Sequence, residues 1–352
     1  MPPKPTLPSV DMSLLDEDPK RGQQQHDEID TVLESLLVKG QLLKKEAANI
    51  LTRSIYFGNK IKDAVEKYRE AADFFRTGSD ERQAVECFYK ALEQMEKKPK
   101  EYRAADKGEM YLEIGESLKE IGIRTSKDME ELEQVIELAC NMFAEGGKFK
   151  KAAEIEKELA RFLEEDAPHF EGGLEENFFY KKAVVHYKNA GELFETETSK
   201  SSFQQCFLKC GELYGLTDDY EQAMKYFELV AQSLATERLT AFNAREHLLR
   251  SFICKILQHL SVAEKDDLTG AMFAGLEDLR TCYDRYCEIQ NVNLEGSLEG
   301  NMILKLLEAV QRRNPKELSQ ALKKFDKMKT LDSWKTTLLL KIKEAISVLD
   351  LT

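Results

Sequence analysis

Two cysteines, Cys206 and Cys210, come nearest to the spacing of a chemical site. One helical turn separates them, so their thiolates could reach a single metal ion from the same face of a helix. A structural zinc site needs two further ligands, and Cys282 and Cys287 have poor spacing for a second pair. None of the five histidines pairs with a cysteine in a zinc pattern. The two thiols are therefore interpreted as core residues, and no metal site is predicted.

Sequence motifs of catalysis and nucleotide binding are missing as well. The chain has no glycine-rich phosphate loop followed by Lys and Ser or Thr, no HExxH and no GxSxG. Dense carboxylates such as those of DMEELEQ fit the solvated face of a helix better than an acid/base pair. An enzyme would need a carboxylate or thiol cluster that the sequence does not show. We therefore expect no enzyme activity, no catalytic residues and no cofactor.

The net charge restricts the class of binding partner, and the cysteine content indicates the cellular compartment. The 352 residues include 51 Lys and Arg against 64 Asp and Glu, a formal net charge of -13, which argues against nucleic acid as a partner. The seven cysteines lie in helical apolar patterns without a secretory signal, which indicates a reducing compartment and no disulfides. Nothing approaches the run of about 20 apolar residues that a membrane span needs. The sequence predicts a soluble, cytosolic protein.

A short helical pattern recurs along the chain and predicts the fold. It consists of an alanine, an aromatic residue four positions later and then another small residue, and strand signals are nearly absent. Small residues at this spacing let helices approach closely while the aromatic fills the gap, which is typical of stacked tetratricopeptide-type helical hairpins. The copies are AVEKYREAADFF from Ala64, AVECFYKALEQM from Ala84 and AVVHYKNAGELF from Ala183, with looser ones from Ala152 and Gln222. The fold class predicted is all-α, with a degenerate array of antiparallel hairpins.

The pattern also suggests three regions. Residues 1–26 are rich in proline and poor in large apolar groups, and we expect a disordered tail. The helical array is predicted over residues 27–235, with short polar breaks such as TGSD and GLTDD between antiparallel helices. Beyond about Leu234 the repeat fades. Residues 236–352 are predicted to form a compact helical bundle that caps the array.

An apolar tip is predicted between the first helix and the first repeat, in TRSIYFGNKIK. Ile55, Tyr56 and Phe57 form this tip, and basic residues lie on both sides of it. The tip could be a hydrophobic staple that packs back onto the helix start. The pattern alone favours this staple, and the alternative is a tip that dips into a membrane surface, with the basic residues facing anionic lipid.

The end of the chain, LDSWKTTLLLKIKEAISVLDLT, is a second unusual stretch. Its apolar residues follow helical spacing from Leu331 to Leu349, after which Leu351 lies between Asp350 and the terminal carboxylate. Carboxylates at the negative end of a helix dipole favour fraying. The tail is either incidental or a probe for an apolar pocket with a basic rim.

The helical array, the apolar tip and this ending together resemble the soluble NSF attachment proteins, specifically those of the alpha type. The strongest match is LDSWKTTLLLKIK, because the family carries a similar Leu-Asp-x-Trp-x-Thr-Thr run near its C-terminus. The resemblance runs from about residue 30 to the end. Further segments in the family order are KIKDAVEKYREAADFF, GGKFKKAAE, SSFQQCFLKCGELYG and LLEAV.

The resemblance implies an adaptor with a twisted, right-handed array of helical hairpins and a C-terminal bundle. Members of the family coat the SNARE four-helix complex and recruit the hexameric AAA ATPase NSF. NSF then disassembles the SNARE complex in vesicle fusion and in intracellular transport, including ER to Golgi transport. A cytoplasmic protein, peripherally associated with membranes, is implied.

Site residues follow from the same resemblance. Basic positions that contact the SNARE complex match Lys148, Lys209 and Arg245. Three other positions that can be basic in the family are Glu154, Gln205 and Leu298 here. The membrane-touching loop matches Ile55, Tyr56 and Phe57, and the NSF-binding end matches Asp350 and Leu351. The alternative is a general tetratricopeptide scaffold that grips peptide tails, for which no carboxylate clamp of Lys, Asn and Arg can be traced.

Overall fold

The structure is a computed structural model that describes residues 19–52, 59–166, 175–197, 199–263 and 270–349. These residues form fourteen α-helices with turns between them and contain no strand. The predicted all-α, tetratricopeptide-like fold class is confirmed. The helices are α1 (Pro19–Thr52), α2 (Lys60–Thr77), α3 (Glu81–Glu96), α4 (Ala104–Ile121), α5 (Ser126–Glu145), α6 (Phe149–Glu165), α7 (Glu176–Thr196), α8 (Lys200–Leu216), α9 (Tyr220–Ala235), α10 (Ala241–Ala263), α11 (Gly270–Cys287), α12 (Leu298–Gln311), α13 (Pro315–Met328) and α14 (Ser333–Leu349).

The first helix begins earlier than the sequence suggested. Helix α1 starts at Pro19, so residues 19–26, which the sequence analysis assigned to a disordered tail, are helical. Proline is favoured at the first position of a helix, and Lys, Arg and Gln are good helix formers. The prediction gave too much weight to the low complexity of this stretch. The remainder of the predicted tail lies outside the described residues.

The chain divides into two compact units within α6. One runs from α1 to Ile155 and also includes Glu165 at the end of α6, and the other holds Glu156–Glu164 and the chain from Glu175 onward. The predicted boundary at residue 235 falls inside the second unit, at the turn between α9 and α10, and α10 packs along α9 across it. The distinction between a repeat array and a terminal bundle therefore stays a prediction about the second unit.

Successive helices pack against each other within each unit. In the first unit α1 packs on α2, α2 on α3, α3 on α4 and α4 on α5, and in the second α7 packs on α8, α8 on α9 and α9 on α10. Only a few residues separate these successive helices in the sequence, which favours antiparallel neighbours. The alanines and aromatics of the repeated pattern form the core, because each of them is buried. They include Ala64, Tyr68, Ala84, Phe88, Ala183 and Tyr187.

Two of the predicted breaks are the same kind of turn. Ser79 and Asp218 have left-handed backbones, with φ of 62° and 63°. The next residue in each turn, Asp80 or Asp219, accepts a hydrogen bond from the third backbone N–H of the following helix at 3.2 Å. The left-handed residue ends one helix and the aspartate caps the next. A reversal of the chain thus takes only a few residues.

Alternate helices are also tied side by side by ion pairs. In the first unit Lys44 of α1 bonds Glu86 of α3 at 2.5 Å, and Arg76 of α2 pairs with Glu113 of α4. In the second unit Arg285 of α11 bonds Glu228 of α9 at 2.8 Å. Each pair joins a helix to the next but one in the chain. This arrangement places odd and even helices in separate layers of each unit.

Helices α7, α8 and α9 approach very closely where the pattern has glycine. A Cβ atom on Gly191 would lie 2.3 Å from the Phe207 ring, and one on Gly211 would lie 2.9 Å from the Phe227 ring. Real Cβ contacts are not this short, so the aromatic of the next helix occupies the space that glycine leaves. The small residue of the repeated pattern can therefore be glycine as well as alanine.

Among the described residues, no helix is both long enough and apolar enough to cross a membrane.

Candidate functional site

Helix α14, which carries the family-like run LDSWKTTLLLKIK, is fixed to the second unit by its first turn. Asp332 caps the helix, because its carboxylate accepts from the Lys335 backbone N–H at 2.8 Å and its carbonyl accepts from the Thr336 backbone N–H at 3.0 Å. Further along α14, Leu338 and Ile342 are fully buried. The run is therefore a cap followed by a helix that buries one face.

Trp334 is the central contact of this helix. Its indole N–H donates to the backbone carbonyl of Glu212 in α8 at 2.8 Å, and its ring meets Phe227 of α9 edge-on at 5.2 Å between centroids. The Arg250 guanidinium of α10 lies 5.4 Å from the ring centroid. A Cβ on Gly215 would come within 2.8 Å of the ring. One side chain thus touches three helices and satisfies its only polar atom.

Arg250 and Lys335 build a charged cluster around this tryptophan. Arg250 pairs with Glu212 of α8 and bonds Asp332 at 2.7 Å. Lys335, only 3% exposed, pairs with Glu246 of α10. Because each buried cation has a carboxylate partner, the charges can stay ionised away from water.

The same cluster extends through Lys329 into α12. Lys329 lies 2.6 Å from Glu246 and 2.7 Å from Glu299. We call the residues Glu212, Glu246, Arg250, Glu299, Lys329, Asp332, Trp334 and Lys335 the α14 clamp. The clamp joins α8, α10, α12 and α14 through side chains that lie far apart in the sequence.

The clamp changes the acid–base behaviour of two residues in α10. Burial opposes the charged form of Glu246, but the hydrogen bonds and charges of Lys329 and Lys335 outweigh it and lower the pKa to about 2. For His247, burial and the positive charge of Arg250 lower the pKa to about 4. At neutral pH the clamp therefore contains an ionised Glu246 beside a neutral His247.

The three predicted SNARE-contact residues have different environments. Lys148 is exposed in the turn before α6, with its Nζ 5.8 Å from the centroid of the Phe143 ring. Lys209 bonds Glu164 of α6 at 2.6 Å and lies 3.8 Å from Glu212. Lys148 belongs to the first unit and Lys209 to the second. The charge of Lys209 is thus already balanced within the chain, whereas Lys148 projects into solvent.

Arg245 is partly exposed in the first turns of α10. Its Nε–H donates to the Val292 carbonyl at 2.7 Å, which orients the guanidinium and ties α10 to the turn before α12. Of the three positions where basic residues were expected but not found, Glu154 and Leu298 are partly buried and Gln205 is exposed. Their assignment to a SNARE-contact surface stays a prediction.

A basic residue that the sequence analysis missed lies next to Gln205. Lys157 of α6 donates to the Gln205 side-chain oxygen at 2.9 Å, so a positive charge lies beside the position where the family pattern lacked one. Arg161 follows on the same helix, one turn later, and is exposed. The spacing of Lys157 and Arg161 was a usable signal. Their neighbour on α8, Gln205, cannot be identified from spacing within one helix.

The tip and the tail cannot be compared with the predictions. Ile55, Tyr56 and Phe57 lie outside the described residues, as do Asp350 and Leu351. The described structure ends at Leu349, the last residue of α14.

The cysteines and the histidine that were candidates for metal binding or catalysis have structural surroundings. Cys206 and Cys210 are fully buried, as the interpretation as core thiols required, and burial raises the pKa of the Cys206 thiol to about 11. His186 is buried, with its Nδ1 2.7 Å from a carboxylate oxygen of Glu156. No group of three or more His, Cys, Asp and Glu residues that could hold a metal ion occurs in the part of the chain that the structure describes.

Comparison with known families identifies the chain. The family model described as "Soluble NSF attachment protein, SNAP" matches residues 38–347, which include the C-terminal part of α1 and the α14 clamp. The chain belongs to this family. The alpha-soluble NSF attachment protein of Vitis vinifera is 26% identical and covers 89% of this chain and 96% of its own length. That of Saccharomyces cerevisiae is 28% identical, with coverage of 82% and 87%, and that of Homo sapiens is 23% identical, with 89% and 94%.

Family membership confirms the resemblance, and the α14 clamp lies within the range that the family model matches. The run LDSWKTTLLLKIK lies inside the matched range, whereas residues 19–37 of α1 lie before it. The structure adds a physical reason for the run, since Asp332, Trp334 and Lys335 each hold α14 in place.

Glu246→Gln should remove the main electrostatic contribution of the clamp. Glu246 titrates near 4.5 when unfolded and near 2 when folded, so its contribution to the free energy of unfolding is present above about pH 4.5 and is lost as the pH falls towards 2. This pKa shift corresponds to about 3 kcal/mol in the free energy of unfolding. Urea unfolding between pH 2.5 and 7 should show this loss at neutral pH and a flatter pH dependence for the variant.

Glu308→Gln is the matched control, because Glu308 pairs with Lys305 at 2.7 Å on the exposed surface of α12. Exposed ion pairs contribute little to the free energy of unfolding. Equal losses for the two variants at pH 7 would contradict a special role for Glu246.

Proposed function

We propose that this chain is a non-catalytic adaptor that binds assembled SNARE complexes and brings NSF to them. NSF is then stimulated to hydrolyse ATP and to disassemble the SNARE complex in vesicle fusion and intracellular transport. The supporting observation is family membership over residues 38–347, in a family named for attachment of NSF. The protein acts in the cytoplasm and associates peripherally with membranes.

The proposed SNARE-contact surface uses basic side chains against an acidic helical bundle. Lys148, Lys209 and Arg245 are the proposed contacts, and Lys157 adds a positive charge beside Gln205. Because Lys209 already pairs with Glu164, its contribution depends on how the bundle competes with that carboxylate. Lys148, exposed to solvent, is the best residue with which to test charge attraction alone.

The α14 clamp supports the proposed coupling to NSF. Asp350 and Leu351 follow directly after α14, whose first turn is fixed to α8, α10 and α12. A tail that starts from a fixed helix can transmit a pull from the ATPase to the second unit. Leucine would supply apolar area to a pocket on NSF, and the carboxylates would steer the approach.

Lys148→Glu should weaken binding to an assembled, soluble SNARE complex by about 1.4- to 5-fold at low salt, because each exposed charge pair contributes about 0.2 to 1 kcal/mol. The difference from the parent should shrink as salt screens the charges. Pull-down titrations with and without NSF measure both effects. Lys150→Glu, the same change two residues away on an exposed position, is the control. Equal affinity for the parent and the Lys148 variant at low salt would contradict this contact.

Replacing Ile55, Tyr56 and Phe57 by Ser should impair disassembly of membrane-anchored SNARE complexes far more than that of soluble ones. Each large apolar side chain contributes roughly 1.5 to 3 kcal/mol when fully buried, and partial insertion gives less. Disassembly rates on liposomes and in solution are compared for the same variant. Equal losses, or a large drop in Tm, would favour the hydrophobic staple.

Leu351→Ala should keep SNARE binding and largely abolish stimulation of the NSF ATPase. Burial of the leucine side chain is worth at most about 1.5 to 3 kcal/mol, and avidity of several adaptors on one hexamer should hide part of that loss in equilibrium binding. The measurement is NSF ATPase rate against adaptor concentration on one SNARE complex. Leu340→Ala, which shortens an exposed leucine of α14, should follow the parent curve. Coincident curves for Leu351→Ala and the parent would rule out docking through this residue.

A further inference from the structure

The first helix continues past the end of the helix on which it packs. Lys60, at the start of α2, donates to the Leu51 carbonyl at 3.3 Å, and a Cβ on Gly78, just after the end of α2, would lie 2.8 Å from Leu37. Helix α2 therefore runs antiparallel to α1 along residues 37–51. The earlier part of α1, from Pro19 onward, extends beyond α2 by about 27 Å, at a rise of about 1.5 Å per residue.

The apolar face of α1 does not stop where α2 ends. Ala47 belongs to the core of the first unit, and Leu43 packs against that core. Small and apolar residues continue from there towards the start of the helix in alternating steps of three and four, which keep them on one helix face. These residues are Ile29, Leu33, Leu36, Gly40, Leu43 and Ala47. Alternating steps of three and four are the spacing of a seam that packs on another helix.

The first part of this face is open to solvent. Ile29 is 40% exposed, and Val32, next to Leu33 on the same face, is 44% exposed, whereas Ala47 is 0% exposed. We call Ile29, Val32, Leu33 and Leu36 the α1 stripe. It lies before residue 38, where the match to the family model begins. The stripe is thus a feature of this chain that the matched part of the family does not include.

Acidic residues accompany the stripe. Residues 27–36 contain four Asp and Glu and no Lys or Arg. Asp30 and Glu34 are both exposed, and their spacing of four places them next to each other along the helix, beside the stripe. A partner that covers the stripe must therefore bring an apolar seam with positive charge at its edge.

We propose that the α1 stripe is a docking site for an amphipathic helix with basic flanks, carried by a protein other than the SNARE complex. The spacing of the stripe fits a helix, because leucine-type side chains of a partner helix insert between residues three and four apart. The inference adds a third partner to the two of the proposed function and does not depend on either of them.

Charge disfavours two other occupants of the stripe. The acidic helical bundle of the proposed SNARE contact would be repelled by Asp30 and Glu34. A second copy of this chain would bring the same four acidic residues opposite themselves, and like charges at a helix pair oppose association. A basic helix gains attraction from the same residues, so the stripe selects its partner by charge as well as by apolar contact.

The test uses a synthetic helical peptide of three heptads, with leucine at the a and d positions and lysine at e and g, and follows its binding to the full chain by fluorescence anisotropy. Ile29→Gln, Val32→Gln should weaken binding by about ten-fold, because polar side chains replace the apolar contact while glutamine preserves helix propensity. Asp30→Asn, Glu34→Gln should weaken binding at low salt and approach the parent at high salt, because salt screens the charges.

Val38→Gln, Leu42→Gln is the matched control. These side chains are 60% and 62% exposed on the opposite face of the same helix, so the control removes more exposed apolar surface than the stripe variant does. It should bind the peptide as the parent does. Binding of the stripe variant to an assembled, soluble SNARE complex should also equal that of the parent.

Several outcomes would overturn the inference. Equal binding of a peptide with the same composition in scrambled order, or parental affinity of the stripe variant, would reduce the interaction to net charge. Competition by a peptide of residues 1–18 would assign the stripe to the chain's own N-terminal segment. A parental dimer in sedimentation that the stripe variant abolishes would assign it to a second copy. A loss of helical circular dichroism that matches the binding loss would make the stripe a structural element, and a matching loss of SNARE binding would make it a SNARE contact.

Discussion

The placement of α14 depends on one buried aromatic contact, that of Trp334 with α8, α9 and α10. An indole ring of this size leaves no room for a side chain at Gly215, and its N–H needs the Glu212 carbonyl. The ion pairs around it follow from that contact, because Arg250 lies against the ring and Lys335 is the next residue along α14. The buried charges would be costly alone, but each cation has a carboxylate and each carboxylate a cation. The packing of Trp334 sets the position of α14, and the ion pairs around it make that position specific.

This arrangement suits an adaptor whose two proposed interactions differ in strength and geometry. The proposed SNARE contacts Lys148, Lys209 and Arg245 come from the turn before α6, from α8 and from α10. The proposed NSF contact is confined to the few residues after α14. Helix α8 carries both a proposed SNARE contact, Lys209, and a residue of the α14 clamp, Glu212, one turn apart. We expect a displacement of α14 to alter the surroundings of Lys209 through this helix.

Local periodicity was sufficient to predict the all-α class and the identity of the core, because alanine and aromatic residues at helical spacing can be recognised within a dozen positions. The start of α1 does not follow from composition, because a stretch of low complexity can also consist of good helix formers. The partners of Lys209 and Arg245 were not predictable, because Glu164 and Val292 lie more than forty positions away in the sequence. The run LDSWKTTLLLKIK was recognised by resemblance, but its physical basis lies in α8, 122 positions from Trp334.

The close approach of Gly215 to Trp334 has an evolutionary consequence. With 2.8 Å between the ring and the place of a Cβ, Gly215 cannot be enlarged on its own without displacing α14 from α8. A smaller residue at position 334 would leave a cavity that a larger residue at position 215 could fill. The two positions should therefore drift together, so that among diverged members of the family the glycine and the tryptophan are inherited as a pair or replaced as a pair.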